Sequence, residues 1–266
     1  MKTAITRTPA VAGMFYPSTA YELQSDVEAY MAKGRGLRPA TCPKAIIAPH
    51  AGYAYSGPVA GSAFACLRNY HTRINHVVLL GPSHRVAFRG MALSSADAFQ
   101  TPLGAVELHK TAATKLSFME FVNINDRAHR DEHCLEVELP FLQCVLDDFT
   151  ITPIVVGDAT AVEVSSVIEN IWGGEETLVV ASSDLSHYLP YRQAQAIDAA
   201  TSCAIMEMTP EQITPDMACG RLAIQGLLIA AKKHQLKPTA LDVRNSGDTA
   251  GDKQQVVGYG AYVFSP

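Results

Sequence analysis

Short apolar runs alternate along the chain with longer stretches in which apolar side chains recur at helical spacing. The apolar runs predict strands at 45–48, 77–80, 91–93, 121–124, 151–156, 178–181, 240–244 and 256–264. The helical spacing and its capping residues predict helices at 20–31, 59–67, 108–116, 131–146, 161–172, 191–208 and 215–234, and residues 98–104 have turn chemistry. This alternation predicts one α/β domain over residues 1–266, with a mainly parallel central sheet covered by helices on both faces.

Three of the predicted strands are followed closely by a histidine. The apolar segments and their histidines are 45–48 with His50, 75–83 with His84, and 177–186 with His187. In open α/β sheets, ligands bind beyond the carboxyl ends of the strands, where neighbouring strand ends meet. We therefore expect the three imidazoles to share one metal or acid–base site.

Composition narrows the function classes further. The chain has 266 residues and a net charge of -5, and its lysines and arginines are scattered, which argues against nucleic-acid binding. No apolar stretch approaches the roughly 20 residues that cross a bilayer, so no membrane association is expected. The N-terminus lacks the apolar core of a signal peptide, and a cytoplasmic protein is predicted. Phosphate-loop, dinucleotide and serine-hydrolase motifs are absent from the sequence.

Two further residues are candidates for the site, each with a structural alternative. Asp184 precedes His187 by three residues and is placed to hold that imidazole in one tautomer, or else to cap the following turn. Cys219 comes early in the predicted helix 215–234, where a helix N-terminus lowers the pKa of a thiol, although a buried structural thiol is the alternative. The run HRDEH at 129–133 formally matches an inverted zinc-protease pattern, which requires both histidines on one helix.

Five segments together resemble the Memo family, known in prokaryotes as the AmmeMemoRadiSam system protein B family. They are APHAGYAYSG (48–57), LGPSH (80–84), DEHCLEVELPFL (131–142), SSDLSHY (182–188) and Cys-Gly-Arg at 219–221. The resemblance extends from AVAGMFYP near the N-terminus to GYGAYVF near the end, so it covers nearly the whole chain. It implies the fold of class III extradiol (LigB-type) dioxygenases, which are non-haem Fe(II) enzymes.

Carried onto this sequence, the resemblance implies that His50, His84 and Cys219 are metal ligands. It also implies that His187 is the acid–base histidine beside the metal. The dioxygenases complete a face of two histidines and one carboxylate, whereas this chain offers a thiolate at the carboxylate position. A soft sulfur ligand shifts metal preference toward copper(I) or zinc, so Fe(II) is expected with copper or zinc as alternatives.

These residues support three hypotheses. The first is a metal-dependent redox enzyme in which His187 moves protons, Asp184 orients it, and a set of side chains contacts the substrate: Tyr53, Tyr55, Tyr188 and His133. The second is a binding module that recognises a peptide or partner protein in an inherited pocket. The third is a zinc hydrolase that uses a metal-bound water. The expected partners are a small molecule or peptide in the cleft, and proteins of the AmmeMemoRadiSam system.

Overall fold

The computed structural model describes residues 4–36 and 39–266. Strands β1 to β11 are, in chain order, Thr6–Arg7, Ala45–Ala48, His76–Pro82, Met91–Leu93, Ala98–Thr101, Gly104–Glu107, Val122–Ile124, Thr150–Val156, Thr177–Ser182, Lys237–Asn245 and Gly258–Ser265. Helices α1 to α8 are Ala20–Ala32, Tyr53–Ala65, Lys110–Leu116, Asp126–Arg130, Leu139–Val145, Ala161–Asn170, Tyr191–Met206 and Arg221–Lys233. Most predicted elements agree with these bounds to within a few residues.

The predicted α/β architecture is confirmed, and its central sheet is mixed. Eight strands are ordered β10-β11-β2-β9-β3-β8-β4-β7. The middle four, β2, β9, β3 and β8, are mutually parallel, while β11 and β4 flank them in antiparallel orientation. A separate three-stranded sheet has the order β1-β5-β6. The parallel centre is consistent with the LigB-type architecture that the family resemblance implies.

Both faces of the central sheet are buried, which explains why its strands are continuous apolar runs rather than alternating ones. Ile46 of β2 packs into a core that contains side chains of α1, α2 and α5. Its neighbour Ile47 faces the opposite core, formed with α3, α6, α7 and α8. Among the described helices, none is both long and apolar enough to cross a bilayer.

The turn predicted at 98–104 is instead part of a hairpin between β5 and β6. Phe99 and Val106 pair across it and are buried, so the strands carry an apolar face that the short segment did not reveal. The reversal ends at Gly104, whose φ of +129° lies in a region that favours glycine.

The single helix predicted at 131–146 is wrong. Helix α4 ends at Arg130, the chain then turns, and α5 begins only at Leu139. Pro140 lies in the first turn of α5, where its missing N–H costs no hydrogen bond, so it starts a helix instead of kinking one. The turn between the two helices directs the carboxylates of Glu132 and Glu136 into the protein.

Helices α8 and α2 also begin elsewhere than predicted. Helix α8 begins at Arg221, not 215, and Cys219 lies in the turn before it. This turn is tied to the end of β9, because the backbone N–H of Cys219 donates to the Asp184 carbonyl and that of Gly220 to Ser183 Oγ. Helix α2 begins at Tyr53, six residues earlier than predicted, and accommodates Pro58 within it.

Candidate metal centre

The ends of three adjacent strands bring the predicted histidines to one edge of the sheet. His50 and His84 each follow the last residue of their strand, β2 and β3, by two positions. Asp184 and His187 follow β9, which lies between β2 and β3 in the sheet. The arrangement is the one that the strand-end rule predicts.

A third imidazole completes a compact cluster with His50 and His84. It belongs to His133, in the turn between α4 and α5. Ring centroids are 5.2 Å apart for His50 and His84, 5.5 Å for His50 and His133, and 4.7 Å for His84 and His133. One ligand atom from each residue lies within 4.8 Å of the other two. These three imidazoles form a possible metal-binding site.

Hydrogen bonds fix two of the rings with the same nitrogen turned away from the cluster. Nδ1 of His84 donates to Oε1 of Glu132 at 2.8 Å, and the backbone N–H of His84 donates to Oε2 at 2.7 Å. Nδ1 of His50 lies 2.8 Å from Ser182 Oγ. Histidines that bind metals commonly donate their second ring N–H to a carboxylate or a similar acceptor. Nε2 of both His50 and His84 therefore remains free of these bonds and can bind a metal, so this set of imidazole ligands is suited to a metal ion.

Cys219 joins this cluster through His50. Its Sγ lies 3.3 Å from His50 Nε2. Metal–nitrogen bonds of about 2.0–2.1 Å and a metal–sulfur bond of about 2.3 Å place two ligands of one ion roughly 3–3.6 Å apart. The spacing of His50 and Cys219 suits a shared ion. Over residues 4–36 and 39–266, the sets of three ligand atoms within 4.8 Å of one another are His50, His84 and His133, and His84, Glu132 and Cys134, neither of which includes Cys219.

Burial leaves the imidazoles of His50 and His133 neutral. It holds the pKa of His50 well below its usual range, and the neighbouring rings of His84 and His133 lower it further. Burial likewise lowers the pKa of His133 to about 4. Neutral imidazoles offer a nitrogen lone pair to a metal without first losing a proton.

Glu132 is the charged counterpart of these rings. Burial opposes its ionisation, but the hydrogen bonds that it accepts from His84 and from the following backbone outweigh burial and lower its pKa to about 2. The sequence pattern placed Glu132 only within the predicted helix 131–146 and Ser182 only within the segment that precedes His187. Their contacts with the imidazoles were missed, and the one available signal was a carboxylate directly beside His133 in the run DEH.

The lowered thiol pKa expected for Cys219 is wrong. Burial raises the pKa of Cys219 to about 12, and the carboxylate of Asp184 raises it further. The thiol lies before the first turn of α8 and is enclosed by the β9 loop, so burial outweighs any stabilisation by the helix. A bound metal cation would supply the positive charge that a buried thiolate requires.

Asp184 contacts His50 instead of the residue it was predicted to orient. Its Oδ1 accepts the backbone N–H of His50 at 2.8 Å, and burial raises its pKa to about 7. Among the described hydrogen bonds there is none between the side chains of Asp184 and His187. His187 is partly exposed, and burial together with the nearby His84 lowers its pKa. Asp184 thus holds the loop that carries His50, while the His187 ring remains accessible.

The three tyrosines predicted to contact a substrate differ in their surroundings. Tyr53 is buried in the core, and its hydroxyl donates to the Val137 carbonyl at 2.6 Å. Tyr55 and Tyr188 are exposed, and the substrate contact predicted for them stays a prediction. Sequence reasoning missed Tyr259 of β11, a buried side chain whose pKa is raised by burial and by the proximity of Asp184.

The inverted zinc-protease pattern is not formed. His129 lies in α4, but His133 lies beyond its end. Nε2 of His129 donates to the Ala92 carbonyl at 2.9 Å, so its ring is committed to the core. Only the second histidine of the pattern reaches the candidate metal centre.

Comparisons with known proteins point to one family over nearly the whole chain. A family model described as Memo-like protein matches residues 7–263. A MEMO1 family protein of Methanococcoides burtonii is 37% identical over 270 residues, covering 97% of this chain and 99% of the relative. One of Metallosphaera sedula is 34% identical over 282 residues, with coverage of 97% and 99%. One of Aquifex aeolicus is 35% identical over 269 residues, with coverage of 97% and 98%.

A solved structure supports the fold independently. It is the crystal structure of the uncharacterized protein JW3007 from Escherichia coli K12, with a TM-score of 0.50 and 14% sequence identity. The match covers 81% of this chain and 98% of that chain. At this level of identity, the likeness concerns the fold alone.

Proposed function

The chain belongs to the Memo family, and from that premise we propose that it is a metal-dependent redox protein of the dioxygenase-like type. In this proposal His50, His84 and Cys219 hold Fe(II). The observation that supports it best is the 3.3 Å contact between Cys219 Sγ and His50 Nε2. The fixed Nδ1 hydrogen bonds of His50 and His84 support the same ligand set, because they turn both Nε2 atoms toward the cluster.

Fe(II) is preferred because the family resemblance implies a non-haem iron fold, and copper or zinc is the alternative that a thiolate ligand favours. Bound Fe(II) would supply the one-electron redox chemistry that the side chains of the site lack. Glu132 keeps a negative charge beside His84 and so makes that imidazole a stronger donor.

His133 and His187 take the proton-handling roles in this proposal. Both imidazoles are neutral near pH 7, because burial lowers their pKa values, and each therefore has a nitrogen able to accept a proton. His187 is the more suitable acid–base group, since it is partly exposed and can exchange protons with solvent. His133 stacks against His84, with ring centroids 4.7 Å apart, and in this proposal it contacts the bound small molecule or peptide.

Metal content measured after purification without oxygen tests the ligand set. Iron, copper and zinc are quantified in the wild type and in Cys219→Ser, His84→Ala and the control His71→Ala. His71 is exposed and bonds Asp147, remote from the cluster, so its variant should keep wild-type metal content. Loss of metal in the first two variants is expected. Unchanged metal content in both would end the proposal.

Cobalt substitution separates Cys219 from His133 as the third ligand. A thiolate bound to Co(II) gives a near-ultraviolet charge-transfer band, which should be present in the wild type and in His133→Ala but absent in Cys219→Ser. A cobalt-loaded wild type without this band, together with loss of cobalt binding in His133→Ala, would assign His133 as the third ligand, which the three-imidazole geometry also allows. Dioxygen consumption by iron-loaded protein with candidate catechols then tests redox activity directly.

A further inference from the structure

A cavity of about 280 Å³ lies directly beside the candidate metal centre, at the ends of β3 and β8 and the first turn of α8. Its lining includes Ser83, Val86, Phe88, Asp158, Cys219 and Arg221. Cys219 itself forms part of the wall, and Ser83 directly precedes His84. A molecule in this cavity would therefore lie next to two of the proposed metal ligands.

The chemistry of the wall selects an anionic molecule with an apolar body. Most of the lining side chains are apolar, with Val86, Phe88 and Leu222 among them. Arg221 is the cationic group of the cavity, and it is partly buried. Among the described residues, Arg221 makes no side-chain hydrogen bond or ion pair. A partly buried guanidinium whose donors are unused is a site for a carboxylate, which it can bind through two parallel hydrogen bonds.

One acidic residue lines the same cavity without neutralising Arg221. Asp158 has a side chain that is 83% exposed, and its carboxylate lies 3.6 Å from the guanidinium of Arg89. Its charge is therefore directed to solvent and to Arg89. The volume of the cavity admits a single ring or a short acyl chain rather than a folded peptide.

We propose that this cavity binds a small carboxylic acid, with the carboxylate on Arg221 and the apolar body against Phe88 and Val86. The acid is the substrate class of the adjacent metal centre, and only this assignment rests on the redox function proposed above. Binding of the acid depends on the cavity alone, so the two ideas can fail separately.

Fluorine NMR of the full-length protein as purified tests the binding. The probe is 4-fluorophenylacetate, and its neutral amide, 4-fluorophenylacetamide, is the matched ligand without charge. We expect the acid to bind the wild type at least tenfold more tightly than the amide, and Arg221→Gln to abolish that preference. Arg73→Gln is the control and should bind the acid as the wild type does, because Arg73 is exposed, pairs with Glu175 and lies before the start of β3, at the opposite end of that strand from the cavity.

Equal affinity for acid and amide, or no binding of either, would overturn the proposal. If Arg221→Gln fails to fold, the acid–amide comparison on the wild type and on Arg221→Lys, which keeps the charge, decides instead.

Cobalt-loaded protein then tests the assignment as substrate, because a nearby paramagnetic ion broadens the fluorine signal of the bound acid. If the protein binds the acid but retains no metal, the acid-binding proposal stands and the redox function is refuted. If the protein retains metal but binds the acid and the amide equally, the redox function stands and the acid-binding proposal is refuted.

Discussion

Glu132 shows how much of the candidate site depends on a side chain that binds no metal in the proposed ligand set. Its two oxygens accept the ring and the backbone N–H of His84. We expect Glu132→Gln to weaken metal affinity by about 10–100-fold, because the amide loses the negative charge that orients and strengthens the imidazole. Chelator competition measures this affinity. Asp131, the exposed neighbour of Glu132, provides the control, and Asp131→Asn should leave the metal affinity unchanged. Equal metal affinities for the wild type, Glu132→Gln and Asp131→Asn would refute the role of Glu132 in orienting His84.

The hydrogen bonds around Ser182 indicate that the buried side chain of Glu138 is protonated and neutral. Ser182 Oγ lies 2.7 Å from the Cys134 carbonyl, 2.7 Å from Glu138 Oε1 and 2.8 Å from His50 Nδ1. A hydroxyl has one proton, and the carbonyl can only accept it. If His50 donates to Ser182 and Ser182 to Cys134, the Glu138 contact requires a proton on the carboxyl itself. Burial also raises the pKa of Glu138 well above its ordinary value.

This assignment gives Glu138 a defined pH signature. Its folded pKa lies above the unfolded value near 4.5, so the wild type loses stability as pH rises from that value toward the folded pKa. The slope is at most about 1.4 kcal/mol per pH unit. Glu138→Gln keeps a neutral group of the same shape and should gain stability over the wild type at pH 8 but much less at pH 5. Urea unfolding at the two pH values measures the difference, and parallel pH dependences would contradict a neutral Glu138.

At the scale of elements, the short strand β1 holds the segment that carries Glu132 and His133. Arg7 donates through Nε to the His129 carbonyl at 2.9 Å and through Nη2 to the Glu132 carbonyl at 2.6 Å. Its Nη1 also pairs with Glu136 at 2.5 Å, with both side chains buried. One arginine thus bonds the end of α4, the turn that follows it and the short 3-10 helix Glu136–Glu138 that leads into α5.

Removal of Arg7 should therefore be costly. Arg7→Met leaves the carboxylate of Glu136 buried without its cation, and we expect the free energy of unfolding to fall by about 3–5 kcal/mol. The matched control is Arg130→Met, which breaks an exposed ion pair with Asp131 and should cost no more than about 1 kcal/mol. Denaturant unfolding measures both variants. Similar small losses would show that the turn is held by its packing alone.

The sequence predicts elements well where burial alone decides them. The core strands β2, β3 and β9 are continuous apolar runs, and their positions and their histidines follow from that pattern. The prediction of one helix over 131–146 fails at its start, where residues 131–135 form a turn and residues 136–138 a short 3-10 helix, and α5 begins only at Leu139. This stretch buries Glu132 and Glu136 against partners distant in sequence. Local periodicity carries no information about such partners.

For the whole molecule, topology explains why residues distant in sequence meet. His50 and Cys219 are 169 positions apart, and they come into contact because β2 and β9 are neighbours and the turn before α8 bonds the β9 loop. The strand-end rule predicted the convergence of His50 and His84. It could not predict the inward turn of His133 or the burial that raises the thiol pKa, since both depend on packing between separate elements.

Because the proposed ligands come from separate parts of the fold, metal binding should stabilise the whole protein. At a free metal concentration 100 times Kd, the gain is about 2.7 kcal/mol. Thermal unfolding with metal and with chelator should show this gain in the wild type and in His71→Ala, but not in His84→Ala.

The pH dependence of that gain identifies Cys219 as a ligand. The thiol pKa is about 12, so metal binding must release its proton throughout the neutral range, whereas His50 and His133 are already neutral there. Affinity through Cys219 should therefore rise about tenfold for each pH unit between pH 6 and 8. Cys219→Ser should bind weakly with a flatter pH dependence. A wild-type affinity that does not change with pH would show that the sulfur stays protonated and that the imidazoles alone hold the metal.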